Sequence, residues 1–120
     1  MHCVNIILGN GDLLESPGIS EREIRRLVGW QALSLADLLW RQCITVRYAE
    51  RALFNLQVVQ QLERRGLIDC VELIDWGMQL EDWDEHTPDQ LPDALVKISE
   101  LAQQLLATDR FHTSELANPR

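Results

Sequence analysis

The sequence lacks the features that place a protein in a membrane or outside the cell. No apolar run approaches the ~20 residues that span a bilayer. No basic region precedes the short apolar stretch Ile6–Leu8, so the start of the chain does not resemble a secretory signal. The three cysteines, Cys3, Cys43 and Cys70, are odd in number and lack the spacing of a disulfide framework. We therefore expect a soluble, cytoplasmic protein with reduced thiols.

The signatures of common enzymes and cofactor sites are also missing. Histidines are scattered at His2, His86 and His112, and no Gly-x-Ser-x-Gly motif or Cys–His pairing is present. Gly9–Gly11 is too short to cradle a phosphate. The acids around His86 do not follow the spacing of a calcium-binding loop. We predict no catalytic, cofactor-binding or metal-binding residues.

What the chain does contain is typical of one globular domain. It has 120 residues, of which 46% are hydrophobic, and a formal net charge of −8. This length and apolar content suffice for a single domain with its own core. The negative charge disfavours nucleic acid and favours basic partners.

The two ends of the chain differ from its middle. Val4–Leu8 could form a short strand, and Gly9–Asp12 has the composition of a turn. We predict a short extended or hairpin-like arm over residues 1–17. After Ala107 the apolar periodicity is lost, which predicts a flexible tail over residues 108–120.

Helix signals begin at Ser20, which forms a capping box with Glu23. Gly29 is the expected end of this first helix. Apolar residues at three- and four-residue steps then predict one long helix over Ser34–Arg65, ended by Gly66. The β-branched run Cys43–Tyr48 alternates as a strand would, but neither Gly nor Pro borders it, so helix with a possible bend is favoured.

Two further helices follow in the second half. Asp69 and Glu72 predict a capping box at the start of the third helix. The acidic, proline-containing segment 81–93 predicts a connection, and Pro92 fits the first turn of the fourth helix. The buried stripe of that helix is expected to consist of Ala94, Leu95, Ile98, Leu101, Ala102 and Leu105. The predicted fold is mainly α: a small irregular bundle of about four helices in a single domain, residues 1–120.

The length of the second helix suggests a homodimer. About 32 residues at 1.5 Å each give roughly 48 Å, whereas the later helices reach only about 23 Å. Part of the long helix stays uncovered unless it bends near Thr45 or a second copy covers it.

Charge is segregated along the chain. From Ser20 to Gly66 there are eight arginines and five acidic residues, whereas Leu67–Glu100 contains ten acidic residues and one lysine. The acids could pair with arginines inside the molecule, or they could form a docking face for a positively charged partner.

Trp83 is the best candidate for a contact residue, because acids on both sides of it disfavour full burial and an aromatic within a charged ring is typical of an interface anchor. The predicted partner-binding residues are Glu72, Asp75, Trp76, Glu81, Asp82, Trp83, Asp84 and Glu85. We predict a non-enzymatic protein–protein interaction module that binds a basic protein, as inhibitors, immunity or antitoxin proteins and chaperones or adaptors do.

DNA binding is the alternative. Residues 20–40 could form a helix, a short turn and a second helix, with basic side chains at Arg22, Arg25, Arg26 and Arg41. This reading predicts a small transcriptional regulator. The joining segment is not compact and the net charge opposes DNA, so nucleic acid is the less favoured partner.

Overall fold

Helices account for nearly all of the chain that the structure describes. The computed structural model describes residues 18–117, with side chains described through residue 107. The mainly α fold and the small helical bundle are confirmed, and no strand occurs in residues 18–117. The helices are α1 (Glu21–Trp40), α2 (Val46–Ala52), α3 (Leu56–Arg64), α4 (Ile68–Met78), α5 (Leu80–His86), a 3-10 helix (Pro88–Gln90) and α6 (Leu91–Ala117). The predicted arm, residues 1–17, lies outside the described residues, as do residues 118–120 of the predicted tail.

Helix α1 begins as predicted but ends later. The Glu23 backbone N–H donates to Ser20 Oγ at 3.1 Å, and the Ser20 N–H donates to Glu23 Oε1 at 3.2 Å, which completes the capping box. The predicted end at Gly29 is wrong, since the helix continues to Trp40. A Cβ atom on Gly29 would lie 3.0 Å from Leu106 Cγ and 3.2 Å from the Ala102 carbonyl oxygen. The glycine therefore permits a close approach of α6 and does not stop α1.

The predicted helix Ser34–Arg65 is wrong, because the chain breaks twice within it. After α1, Gln42 adopts a left-handed φ of 62°. Thr45 then caps α2, with its side chain accepting from the Tyr48 N–H at 3.1 Å. Asn55 caps α3 by accepting from the Val58 N–H at 3.0 Å. Two short polar side chains thus restart the helix after breaks that contain neither proline nor glycine.

The length argument for a homodimer loses its basis with this correction. It left two alternatives for a helix of about 48 Å, a bend near Thr45 or a second copy, and the chain does break at Thr45. The segment instead folds into the end of α1, then α2 and α3, which are 7 and 9 residues long. Each short helix buries its own apolar residues in the common core, so no exposed helix end needs a second copy to cover it.

The start of α4 also differs from the prediction. The helix begins at Ile68 and has no side-chain cap, so the predicted Asp69–Glu72 capping box is wrong. The Asp69 carboxylate is engaged elsewhere: it accepts from Arg25 Nε at 3.0 Å and from the Cys70 N–H at 2.9 Å. A tertiary ion pair between α1 and α4 has replaced the local cap.

The predicted connection over 81–93 is largely helical, since α5 and the 3-10 helix occupy most of it. Pro92 lies in the first turn of α6, as predicted. The helical backbone of α6 continues to Ala117, beyond the end predicted at Ala107. No helix among the described residues is both long and apolar enough to cross a membrane.

The core lies between α1 and α6, with α2 to α5 packed around this pair. The predicted stripe of α6 is confirmed, because all six of its residues are buried. Phe54, in the segment between α2 and α3, is among the largest fully buried side chains. Helix α6 therefore contacts α4 as well as α1.

Candidate functional site

Two tryptophans from consecutive helices lie against each other. The ring centroids of Trp76, in α4, and Trp83, in α5, are 5.5 Å apart with an interplanar angle of 31°. Gln79 is both the C-cap of α4 and the N-cap of α5. The bend between the two helices therefore lies at this one residue. Both side chains are half-buried. The predicted anchor Trp83 is therefore a member of an aromatic pair with one side accessible.

All six predicted acidic contact residues are exposed. They are Glu72 and Asp75 on α4 and Glu81, Asp82, Asp84 and Glu85 on α5. Together with Trp76 and Trp83 they form what we call the acidic tryptophan face. Among the described residues, none of these six carboxylates forms an ion pair with arginine or lysine.

Two arginines of the first half pair with acids outside this face. Arg25 pairs with Asp69 at 3.0 Å, and Arg65 with Glu21 at 3.5 Å. These acids lie at helix starts and outside the acidic tryptophan face. These two ion pairs therefore leave the six carboxylates of the acidic tryptophan face without an arginine partner.

Two carboxylates of α5 lie close to an acidic residue of α2. Glu50, on α2, has a raised pKa, first because burial disfavours its charge and then because Glu81 lies close and shares a hydrogen bond with it. Glu85 raises the pKa of Glu50 further, while Arg47 lowers it. His86 Nε2 lies 4.0 Å from Asp82 Oδ1 and 3.9 Å from Glu85 Oε1. Glu81 therefore interacts with Glu50 of α2 while its side chain stays exposed.

One lysine approaches the face from α6. Lys97 Nζ lies 5.9 Å from the centroid of the Trp76 ring, at the distance of a cation–π contact. This is the sole lysine of the chain. A cation is therefore accommodated over one indole of the pair.

A second exposed surface was not predicted from the sequence. Trp30 and Trp40 on α1 are 60% and 57% exposed, and Val96 on α6 is 46% exposed. They line a groove of about 570 Å³ between α1 and α6. The spacing of three and four residues that places side chains on one face of a helix is present at Trp30, Leu33, Asp37 and Trp40. A helix that ends at Gly29 breaks this pattern, so the prediction missed the surface.

The alternative prediction of DNA binding depended on a helix-turn-helix over residues 20–40. Because α1 runs unbroken through residues 29–32, the predicted helix-turn-helix over residues 20–40 is wrong. Two of its arginines are also in ion pairs, Arg25 with Asp69 and Arg41 with Asp37 at 3.0 Å each. No pair of helices in this region can present a recognition helix as that motif requires.

The thiol of Cys70 is in an environment that disfavours the thiolate form. Its side chain is fully buried. Burial first, and the Asp69 carboxylate second, raise the pKa of the Cys70 thiol to about 12. Among the described residues, no group of three or more histidine, cysteine or acidic side chains is arranged to hold a metal ion.

Comparison with known proteins identifies a family whose function is unknown. Residues 20–118 match the model of a family described as "Protein of unknown function (DUF3969)". No curated protein and no solved structure matches the chain at a significant level.

Proposed function

We propose that this chain, a member of that family of proteins of unknown function, binds a basic protein partner through the acidic tryptophan face. One observation carries the proposal: six exposed carboxylates, none of which pairs with arginine or lysine among the described residues, lie on the two helices that carry the packed, half-buried indoles. Charge of one sign around an aromatic centre is the arrangement of an interface with a desolvated anchor and a polar rim.

The carboxylates supply attraction and orientation. Complementary charge steers a partner to this face and raises the association rate, with a strong dependence on ionic strength. Exposed pairs add little affinity individually because solvent and salt screen them. Most of the binding energy must therefore come from the indoles.

The indole pair supplies the anchor. Trp76 and Trp83 already lose part of their conformational freedom by packing together, so little entropy is lost when a partner covers them. Lys97 occupies the cation position over Trp76. An arginine or lysine of the partner can take the equivalent position over Trp83, where a desolvated cation–π contact is worth about 2 kcal/mol.

The role that fits this mode of binding is non-enzymatic. An acidic helical protein that covers a basic surface acts as an inhibitor, an immunity or antitoxin protein, or an adaptor or chaperone. We place this interaction in the cytoplasm, since Cys43 and Cys70 are both free thiols. The proposal requires one copy of the chain.

The test compares charge reversals inside and outside the face. Asp84→Lys changes an exposed acid of α5, and Glu63→Lys makes the same change of charge on the exposed side of α3. Each variant is immobilised and exposed to extract of the native host at low and high salt. We expect recovery of a basic protein that falls with salt, falls with Asp84→Lys and is unchanged by Glu63→Lys.

The purified partner then gives the affinity. Trp83→Ala is expected to weaken binding by roughly 30-fold or more, the loss of about 2 kcal/mol typical of an aromatic anchor. Circular dichroism checks that the variant is folded. Equal loss of the partner with Asp84→Lys and Glu63→Lys, or recovery that does not depend on salt, would contradict the proposal.

A further inference from the structure

The groove between α1 and α6 is an apolar surface separate from the acidic tryptophan face. Val96 lines the groove, while Lys97, the next residue of α6, lies over Trp76 instead. The groove has an apolar floor that includes Ala36 and Leu95, both buried. Trp30 and Trp40 project beside it with more than half of their surface exposed.

The sequence explains why a groove forms here. Trp30 and Trp40 are ten residues apart on one helix, or about 15 Å at 1.5 Å per residue. Between them the facing sides of α1 and α6 carry small residues, Ser34 and Ser99. Large indoles at the ends and small side chains in the middle leave a trough about as long as three turns of a helix.

The charges that line the groove are all negative. Asp37 and Glu100 are its charged residues, and no lysine or arginine lines it among the described residues. Asp37 pairs with Arg41 at 3.0 Å. Glu100 is exposed and forms no ion pair with the described residues. An occupant that is apolar along one face and carries a cation beside it would complement both features.

The exposed area distinguishes a small occupant from a second copy. A tryptophan side chain offers roughly 150–250 Å², so two indoles that are 60% and 57% exposed and one half-exposed valine give about 300 Å². A stable dimer buries about 800 Å² on each partner. The exposed apolar area of the groove is thus well below that of a subunit interface, and its elongated shape between two helices suits a single helix.

We propose that this groove binds a single amphipathic helix of a partner protein, with an apolar face against Trp30 and Trp40 and a lysine or arginine next to Glu100. The inference stands apart from the proposed function, because it uses a different surface and different residues. The occupant differs as well, since here the apolar face contributes most of the binding and the charge fixes the orientation.

The test uses a display library of helical peptides of roughly 18 residues, the groove length plus a turn at each end. Selection is made on the native chain, with removal of peptides that also bind the Trp30→Ala/Trp40→Ala variant. Both tryptophans are largely exposed, so this variant is expected to fold. We expect enriched peptides with apolar residues at three- and four-residue steps and a flanking lysine or arginine.

Affinities of the enriched peptides locate the site. We expect roughly tenfold weaker binding or more for Trp40→Ala and for Ser99→Leu, which fills the groove, and several-fold weaker binding for Glu100→Lys. Ile68→Ala, an exposed apolar residue outside the groove, and Asp84→Lys, on the acidic tryptophan face, are the controls and should bind normally. Loss with Asp84→Lys as large as the loss with Trp40→Ala, or normal binding to Ser99→Leu, would overturn this inference, because the peptide would then not lie in the groove.

Three other outcomes would also overturn the proposal. The first is that no peptide survives the selection. The second is that enriched peptides carry no basic residue, or bind Glu100→Lys as well as they bind the native chain. The third is a dimer in sedimentation experiments that Trp40→Ala dissociates, because the occupant would then be a second copy of the chain.

Discussion

Gly77 lies within α4 against the ring of Phe54, and its replacement by alanine tests the packing of the core directly. A Cβ atom on Gly77 would overlap the Cγ and Cδ1 atoms of the Phe54 ring and would lie 2.7 Å from Cε1. Phe54 is only 2% exposed. The ring cannot move into solvent, so Gly77→Ala must displace other core side chains.

Two effects of opposite sign determine the magnitude. Alanine is better than glycine inside a helix by about 1 kcal/mol. An extra methyl group in a filled core costs about 1–3 kcal/mol, and here it meets rigid ring carbons, which favours the upper end of that range. We expect Gly77→Ala to lower the free energy of unfolding by about 1–2 kcal/mol. The corresponding decrease in Tm is roughly 4–8 °C for a chain of this size.

The assay is urea unfolding followed by circular dichroism, in a double-mutant cycle with Phe54→Leu. Without the ring, Gly77→Ala is expected to be neutral or stabilising, because only the helix effect remains. Gly29→Ala is a graded comparison: its nearest contact, Leu106 Cγ, is 3.0 Å away, so the loss should be smaller. If Gly77→Ala is as stable as the native chain while Phe54 is present, the packing argument is refuted.

Three further predictions concern single side chains. The Asn55 side chain accepts from the Val58 N–H and donates to the Glu50 carbonyl oxygen at 2.9 Å. Asn55→Ala should therefore lower the free energy of unfolding in urea by about 1–2 kcal/mol. Asn55→Asp keeps only the acceptor and should not restore the native value. The raised pKa of Glu50 means that the folded chain holds this proton more tightly than the unfolded chain, so stability falls as pH rises through the raised pKa. Glu50→Gln should accordingly be more stable than the native chain at neutral pH and equal to it below the unfolded pKa of about 4, and an unchanged difference across urea titrations from acid to neutral pH would contradict this. In a Cys3→Ser background a thiol reagent should modify Cys43, which is exposed, and reach Cys70, whose pKa is about 12, only after unfolding; rapid modification of both thiols in the native state would contradict the buried placement.

The elements that sequence reasoning predicted correctly depend on interactions between near neighbours. The capping box at Ser20 involves residues three positions apart, and Pro92 fits a helix start whatever surrounds it. The apolar stripe of α6 follows from helical periodicity alone. The exposure of the acids on α4 and α5 agrees with the general cost of burying unpaired charge.

The elements that sequence reasoning predicted wrongly depend on contacts between distant segments. Gly29 has the same local signature as a helix-ending glycine, but its role is decided by Leu106, which packs against it from α6. Asp69 would cap α4 in isolation, and Arg25 on α1 takes its carboxylate instead. In both cases the local preference is only about 1 kcal/mol, which the packing of the whole bundle outweighs.

The sequence by itself determined a mainly helical bundle and an acidic second half with tryptophans inside it, because helical periodicity and charge content are properties of neighbouring residues. Only the tertiary structure decided that Trp76 packs against Trp83, and that Trp30 and Trp40 border a groove with α6. Both surfaces arise where separate helices meet. Their relative positions follow from packing across the core, which no local pattern encodes.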